Sequence, residues 1–195
     1  PAQAQIDHAS RQPAAQRAHF RVADAQALPF PDATFDVVAS ALVMNFIPDR
    51  PRALSEMRRV ARAGGFVAGY VWDFAAELSP SWPLRRGMRQ FGADIPELPG
   101  TRDSSLGALN SLFEQAGFER IATKSIEVTL SYSDFDDFWQ AQTPSYSPTT
   151  KIIAAMTKSE RVRLMEAVRA GLPVRPDGKI EYSARANAIK ARVPG

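Results

Sequence analysis

The sequence of 195 residues has no cysteine and only two histidines, His8 and His19. The first absence excludes disulfides, a thiol nucleophile and a thiolate metal site. The histidines lie early without ligand-like spacing, so no metal site is expected. No apolar run reaches the roughly 18 residues that cross a bilayer, and no signal peptide is visible. The expectation is a cytoplasmic protein with no membrane partner. The formal charge is only +3, and the arginines are scattered rather than gathered into a tract interleaved with aromatics. Nucleic acid is therefore not expected as a partner. What is present is globular in character, 45% apolar and 23% charged, in a chain long enough for one domain with a sizeable core.

Two apolar runs near the start organise the rest. His19 to Ala23 alternates as a short strand and ends at Asp24. Residues 25 to 32, AQALPFPD, are too rich in proline to continue a strand or a helix. Phe35 to Leu42 is nearly all apolar, as expected of a parallel strand buried on both faces. In an open α/β sheet ligands bind outside the carboxyl ends of the strands, which brings forward Asp24 and the pair Ser40 and Ala41. Downstream, Asp49 is a good N-cap with Pro51 in the first turn of a helix to about Ala61. Leu54, Met57 and Val60 form its buried stripe, and Arg52, Arg59 and Arg62 read as a solvated face.

The string V-A-D-A-x-x-L-P-F-x-D-x-x-F-D-V-V, Val22 to Val38, resembles the adenine-binding segment and fourth strand of class I S-adenosylmethionine-dependent methyltransferases. The likeness is to the small-molecule, ubiquinone/menaquinone-methyltransferase type. It continues through Leu54–Arg62, similar to the helix after that strand, and Ala63-Gly64-Gly65, similar to a Pro-Gly-Gly turn with Ala63 in place of proline. Glu114 to Ile121, E-x-A-G-F-x-x-I, is similar to the family's entry to strand six. The resemblance implies a Rossmann-like α/β fold with a mostly parallel sheet and a final antiparallel strand. It implies that Asp24 accepts from the adenine amino group, that Ala25 offers its backbone N–H to the ring beside Gln26, and that Ser40 and Ala41 lie against the methionine end. The cofactor would be S-adenosyl-L-methionine, leaving as S-adenosyl-L-homocysteine.

The first helix, residues 2 to 11, matches the family's helix after strand two. Strands one and two, the Gly-rich cofactor loop and the ribose-binding acid are missing from the sequence. In the family's strand order, 3-2-1-4-5-7-6, that leaves a gap of roughly 14 Å beside the strand at 19–23. The expectation is a fragment, or the visible part, of a longer protein. By this likeness residues 1–74 are a partial cofactor-binding core. Residues 75–104 are a variable substrate-side segment, with Arg85, Arg86 and Arg89 on a short helix; together they suit an acidic substrate, but a solvated face is the stronger reading. Residues 105–130 are a core helix and strand, the helix closed by Gly117. Residues 131–179 are a helical cap inserted before the last strand, and 180–195 hold that strand.

In the cap, Ser133 reads as the cap of one helix, and Thr157-Lys158-Ser159-Glu160 as a capping box for a second. Its aromatics Tyr132, Phe135, Phe138, Trp139 and Tyr146 suit an apolar pocket. Trp72 ends the strand Gly65–Trp72 and would wall the acceptor site, with Asp73 as the one nameable base. Tyr132, Phe138 and Trp139 are the other substrate candidates. Met44-Asn45-Phe46-Ile47 stands where amino methyltransferases of nucleic-acid bases carry an Asn/Asp-Pro-Pro-Tyr tetrad, which disfavours that chemistry. The implied activity is methyl transfer to a small-molecule acceptor by in-line attack, with a homodimer as the oligomeric option. The alternatives are a non-catalytic methyltransferase-like interaction module and a methyltransferase acting on RNA or protein.

Overall fold

A computed structural model describes residues 3–145 and 147–195. Tyr146, and the first residue of the expected N-terminal helix, Ala2, lie outside the described residues. The element order is α1 (Gln3–Ser10), β1 (Phe35–Ala41), α2 (Arg50–Val60), β2 (Ala61–Trp72), α3 (Trp82–Gln90), α4 (Leu106–Gln115), β3 (Glu119–Tyr132), α5 (Phe135–Gln142), α6 (Pro148–Ala155), α7 (Lys158–Ala170) and β4 (Ile180–Arg192). Short 3-10 turns sit at Pro13–Arg17, Met44–Phe46 and Arg102–Ser104.

The four strands form one sheet in the order β1-β2-β4-β3. The backbone of Asp36 approaches Gly65, and that of Ser40 approaches Gly69. This constant offset makes β1 and β2 parallel. Val193 N–H donates to Gly65 O and Asp73 N–H to Arg185 O, a constant sum, so β4 runs antiparallel to β2. Ser125 pairs with Asn187 and Tyr132 with Tyr182, so β4 is antiparallel to β3 as well. The expected mixed sheet, parallel but for its final strand, is the one observed.

Two expectations about the sheet are corrected. The segment 19–23 forms no strand, and Phe20 and Val22 are exposed. A strand exists by pairing its backbone with a neighbour, and the described residues place none beside it. For the same reason β1 is an edge strand instead of one buried on both faces, with Val37 57% exposed.

The chain divides into two compact units. The first comprises Pro1–Gly69, Asn110–Ala122 and Ile189–Gly195. Its core includes Leu54, Val60, Val67, Phe113 and Phe118. Asp49 caps α2 by accepting from Arg52 N–H at 2.9 Å, as the sequence predicts. Gly117 stands at φ +74°, the left-handed conformation that closes α4.

The second unit comprises Tyr70–Leu109 and Thr123–Ala188. Here the inserted helices pack on α3, around Leu84, Met88, Phe138, Leu164, Val168 and Tyr182. The insertion has three helices, where the sequence reading names two: α6 begins at Pro148, after Ser147. The cap of α5 is Asp134, accepting from Asp137 N–H at 2.9 Å. Ser133 instead donates its own N–H and hydroxyl to Asp137. The capping box of α7 is present, with Thr157 and Glu160 bonded reciprocally.

Candidate functional site

Asp24 begins a tight turn that Ala27 N–H closes by donating to Asp24 O at 3.1 Å. The side chain repeats the motif: Asp24 Oδ1 accepts from Gln26 N–H at 2.9 Å and from Gln26 Nε2 at 3.1 Å. This is the self-bonding that makes Asp a turn former. The backbone bond from Gln26, and then its side-chain bond, hold the Asp24 carboxyl below the usual carboxylate range. The carboxylate is exposed, with acceptor capacity left over. Among the described residues no group accepts from Ala25 N–H. An anionic acceptor and a free backbone donor therefore stand on adjacent residues. That is the donor–acceptor pattern needed to read the edge of an adenine ring, and it fits the implied cofactor.

The turn is anchored from α2. Asp49 N–H donates to Gln26 Oε1 at 3.1 Å, and Arg52 Nε to Gln26 O at 2.9 Å. Leu28 N–H donates to Glu56 Oε2 at 2.7 Å. Arg59 donates to Leu28 O, Phe30 O and Asp32 Oδ1, and forks onto both oxygens of Glu56 at 2.7 and 2.8 Å. Arg52 and Arg59 are thus clamps on the 24–32 loop, a correction to the solvated face expected of them. Arg62 alone keeps that role, in an exposed pair with Asp36. The Arg59 fork, opposed by partial burial and helped by the Leu28 amide, holds the Glu56 carboxyl at about 2. Glu56 and Asp32 raise the Arg59 guanidinium further above its ordinary range.

Ser40 and Ala41 close β1 on the same unit, Ser40 half-buried and Ala41 exposed. Leu42 follows at φ +55°, a region that branched residues rarely occupy. A Cβ at Gly69 would stand 3.0 Å from Met44 Cε and 3.4 Å from Ser40 O, so β2 approaches this strand end closely at Gly69. The structure joins Asp24 to Gln26 directly; among the described residues no hydrogen bond or ion pair joins that turn to Ser40 or Ala41.

The substrate candidates lie in the second unit. Asp73 is 3% exposed. Its Oδ2 accepts from Arg185 Nε at 2.9 Å and Nη2 at 2.8 Å, and its Oδ1 accepts from Ala76 N–H at 3.0 Å. This is a turn and ion-pair residue; a general base needs an oxygen that a substrate can reach. Trp72 is half-buried and, among the described residues, makes no ring contact with the other candidates. Tyr132 packs edge-on to Phe138 and stacks on Tyr182 at 6.0 Å. Gln142 donates to the Tyr132 hydroxyl at 3.0 Å, and the Tyr182 hydroxyl donates to Pro80 O at 2.6 Å. Burial pushes the Tyr182 hydroxyl above its ordinary range, with the neighbouring Tyr132 adding to it. Phe138 is fully buried and is a core residue rather than a pocket wall. Trp139 does line a cavity, of about 410 Å³, with Thr143, Ile153 and Met165.

The sequence reading misses Glu56 and Arg185, and it places Arg85 on a solvated face. Arg85 is buried on α3 with Nη2 donating to Pro96 O at 2.6 Å, so it is not part of the solvated face expected there. Arg86 is exposed, and Arg89 pairs with Glu77.

Residues 1–69 match the model of a methyltransferase domain family. The mitochondrial arginine-hydroxylase NDUFAF5 of Rattus norvegicus is 33% identical over 113 residues, 57% of this chain and 32% of that protein. The malonyl-[acyl-carrier protein] O-methyltransferase of Serratia marcescens is 34% identical over 80 residues, 40% of this chain and 31% of that protein. The chain thus spans about a third of the length of these curated relatives. A candidate type II methyltransferase from Anaeromyxobacter dehalogenans superposes over 100% of this chain and 78% of its own, with TM-score 0.66 at 22% identity. The fold is the Rossmann-like fold of the class I methyltransferases.

Proposed function

We propose, from this fold and from the methyltransferase-domain match over residues 1–69, that the chain serves S-adenosylmethionine-dependent methyl transfer to a small-molecule acceptor. The observation that carries this reading is the Asp24–Ala27 turn. It presents an acceptor and a donor side by side, and with the loop that follows it is held by four groups of α2 and its cap, the Asp49 amide, Arg52, Glu56 and Arg59. A recognition element held this way loses little freedom on binding. In this reading Asp24 and Ala25 hold the adenine edge, with Gln26 bracing Asp24, and Ser40 and Ala41 flank the methionine end. When bound, the cofactor supplies the electrophilic methyl group. The protein's share is placement, worth effective molarities of about 10⁵ to 10⁸ M when two reactants are well aligned. Trp72, Tyr132 and Trp139 are the acceptor-side candidates that retain some exposure. Asp73 is proposed to hold Arg185 and the turn after β2, and no base is assigned; an acceptor already ionised at working pH needs none.

The test is transfer of a labelled methyl group from S-adenosylmethionine to a panel of small phenols, amines and carboxylic acids. Label should appear in a small product, and Asp24→Ala should reduce the rate at sub-saturating cofactor by roughly tenfold or more. Label appearing in RNA or protein instead would move the acceptor to the macromolecular class. Saturable cofactor binding without transfer to any acceptor would favour a non-catalytic module.

A further inference from the structure

A pocket of about 390 Å³ opens within the second unit beside α3 and the segment 93–101 that follows it. Phe74, Trp82, Ile95 and Leu98 give it apolar walls. Arg85 also lines it and is 9% exposed. The guanidinium carries five N–H donors, and one is engaged, by Pro96 O. Among the described residues no carboxylate pairs with it. The adjacent cation, Arg89, is the one that takes the Glu77 carboxylate. Burial, and then the charge of Arg89, lower the pKa of Arg85, while the charge of Glu77 acts the other way. A buried charge without a partner is costly, and the planar fork of arginine matches a carboxylate in two parallel hydrogen bonds.

Glu77, which pairs with Arg89, Asp94 and Glu97 also line the pocket, and all three are exposed. Their charges disfavour a multiply charged anion. A single carboxylate seated on Arg85 leaves them in solvent. The volume lies within the range of small-molecule sites, about 300 to 1,000 Å³.

We infer that this pocket binds a monocarboxylic acid with a flat apolar body, its carboxylate forked onto Arg85 and its body against Trp82, Phe74, Ile95 and Leu98. The inference is independent of methyl transfer and requires no cofactor.

Benzoate is the probe, with benzamide as its neutral isostere and citrate as the polyanion. Binding is read by calorimetry and by the NMR signals of the Trp82 indole N–H and the Arg85 Nε–H. Benzoate should saturate and shift both signals, and benzamide should bind at least tenfold more weakly. Arg85→Gln should weaken benzoate roughly ten- to a hundredfold, and the exposed neighbour change Arg86→Gln should leave it unaltered. Equal binding of benzoate and benzamide to the wild type overturns the inference without any variant. So does citrate binding more tightly than benzoate, or a folded Arg85→Gln protein that binds benzoate as well as the wild type.

Discussion

At Glu56 one carboxylate joins Arg59 to the Leu28 amide. Its pKa falls from an ordinary 4.5 to about 2 in the folded chain. A depressed carboxyl contributes stability that is present above its unfolded pKa and is lost as pH falls through its folded one. The clamp on the 24–32 loop should therefore hold at pH 5 and release between about pH 4.5 and 2. NMR titration of the Leu28 amide checks this: its shift should follow a midpoint near 2, and a midpoint near 4.5 would mean that the fork does not form. Glu56→Gln should expose the Leu28 amide to hydrogen exchange while leaving the α2 amides protected. At Asp73, loss of charge strands Arg185. Asp73→Asn should cost about 3 kcal/mol in urea unfolding, and Arg185→Met in the same chain should recover part of that loss, the coupling expected of residues in direct contact.

At the scale of elements, sequence and structure agree where the causes are local. The Asp49 cap of α2, the Thr157 capping box of α7 and the Gly117 closure of α4 each depend on a few consecutive residues, and each was legible. The Ser147-Pro148 start of α6 carried a readable signal as well, a proline in the first helical turn, and went unread. What was not legible depends on distant chain. Asp73 and Arg185 stand 112 residues apart, and the Arg59 contacts to Leu28, Phe30 and Asp32 span 27 to 31 residues. Arginines on a helix look alike in sequence; which of them is buried is decided by what packs there. α3 illustrates the same point through a glycine. A Cβ at Gly87 would stand 2.5 Å from Val168 Cγ2 and 3.0 Å from Val168 Cα, so α3 and α7 meet there with no room for a side chain. Gly87→Ala should therefore destabilise by about 1–3 kcal/mol, although helix propensity alone favours alanine by about 1 kcal/mol. A raised urea midpoint in that variant would show the contact to be looser than described.

For the whole molecule, strand order was the most readable feature and strand 19–23 the least. The order β1-β2-β4-β3 reproduces the 4-5-7-6 portion of the family's sheet, with the last strand antiparallel. The apolar alternation of 19–23 promised a strand, but alternation expresses a preference and pairing requires a neighbour. The candidate site divides in the same way. The turn of Asp24, Ala25 and Gln26, proposed to hold the cofactor, depends on one short motif because its hydrogen bonds are made within that turn. The acceptor side does not, because its residues come from β2, β3 and the inserted helices, and burial removes Phe138 from it.

The Asp24–Ala27 turn is proposed to read the adenine of the methyl donor. The most direct test is titration of this chain with S-adenosylhomocysteine, followed at the amides of Asp24, Ala25 and Gln26 by NMR. The account predicts saturable shifts at these three amides, abolished by Asp24→Ala in a chain of unchanged thermal stability. Amides that stay unmoved at millimolar ligand, or shifts that persist unchanged in Asp24→Ala, would contradict it.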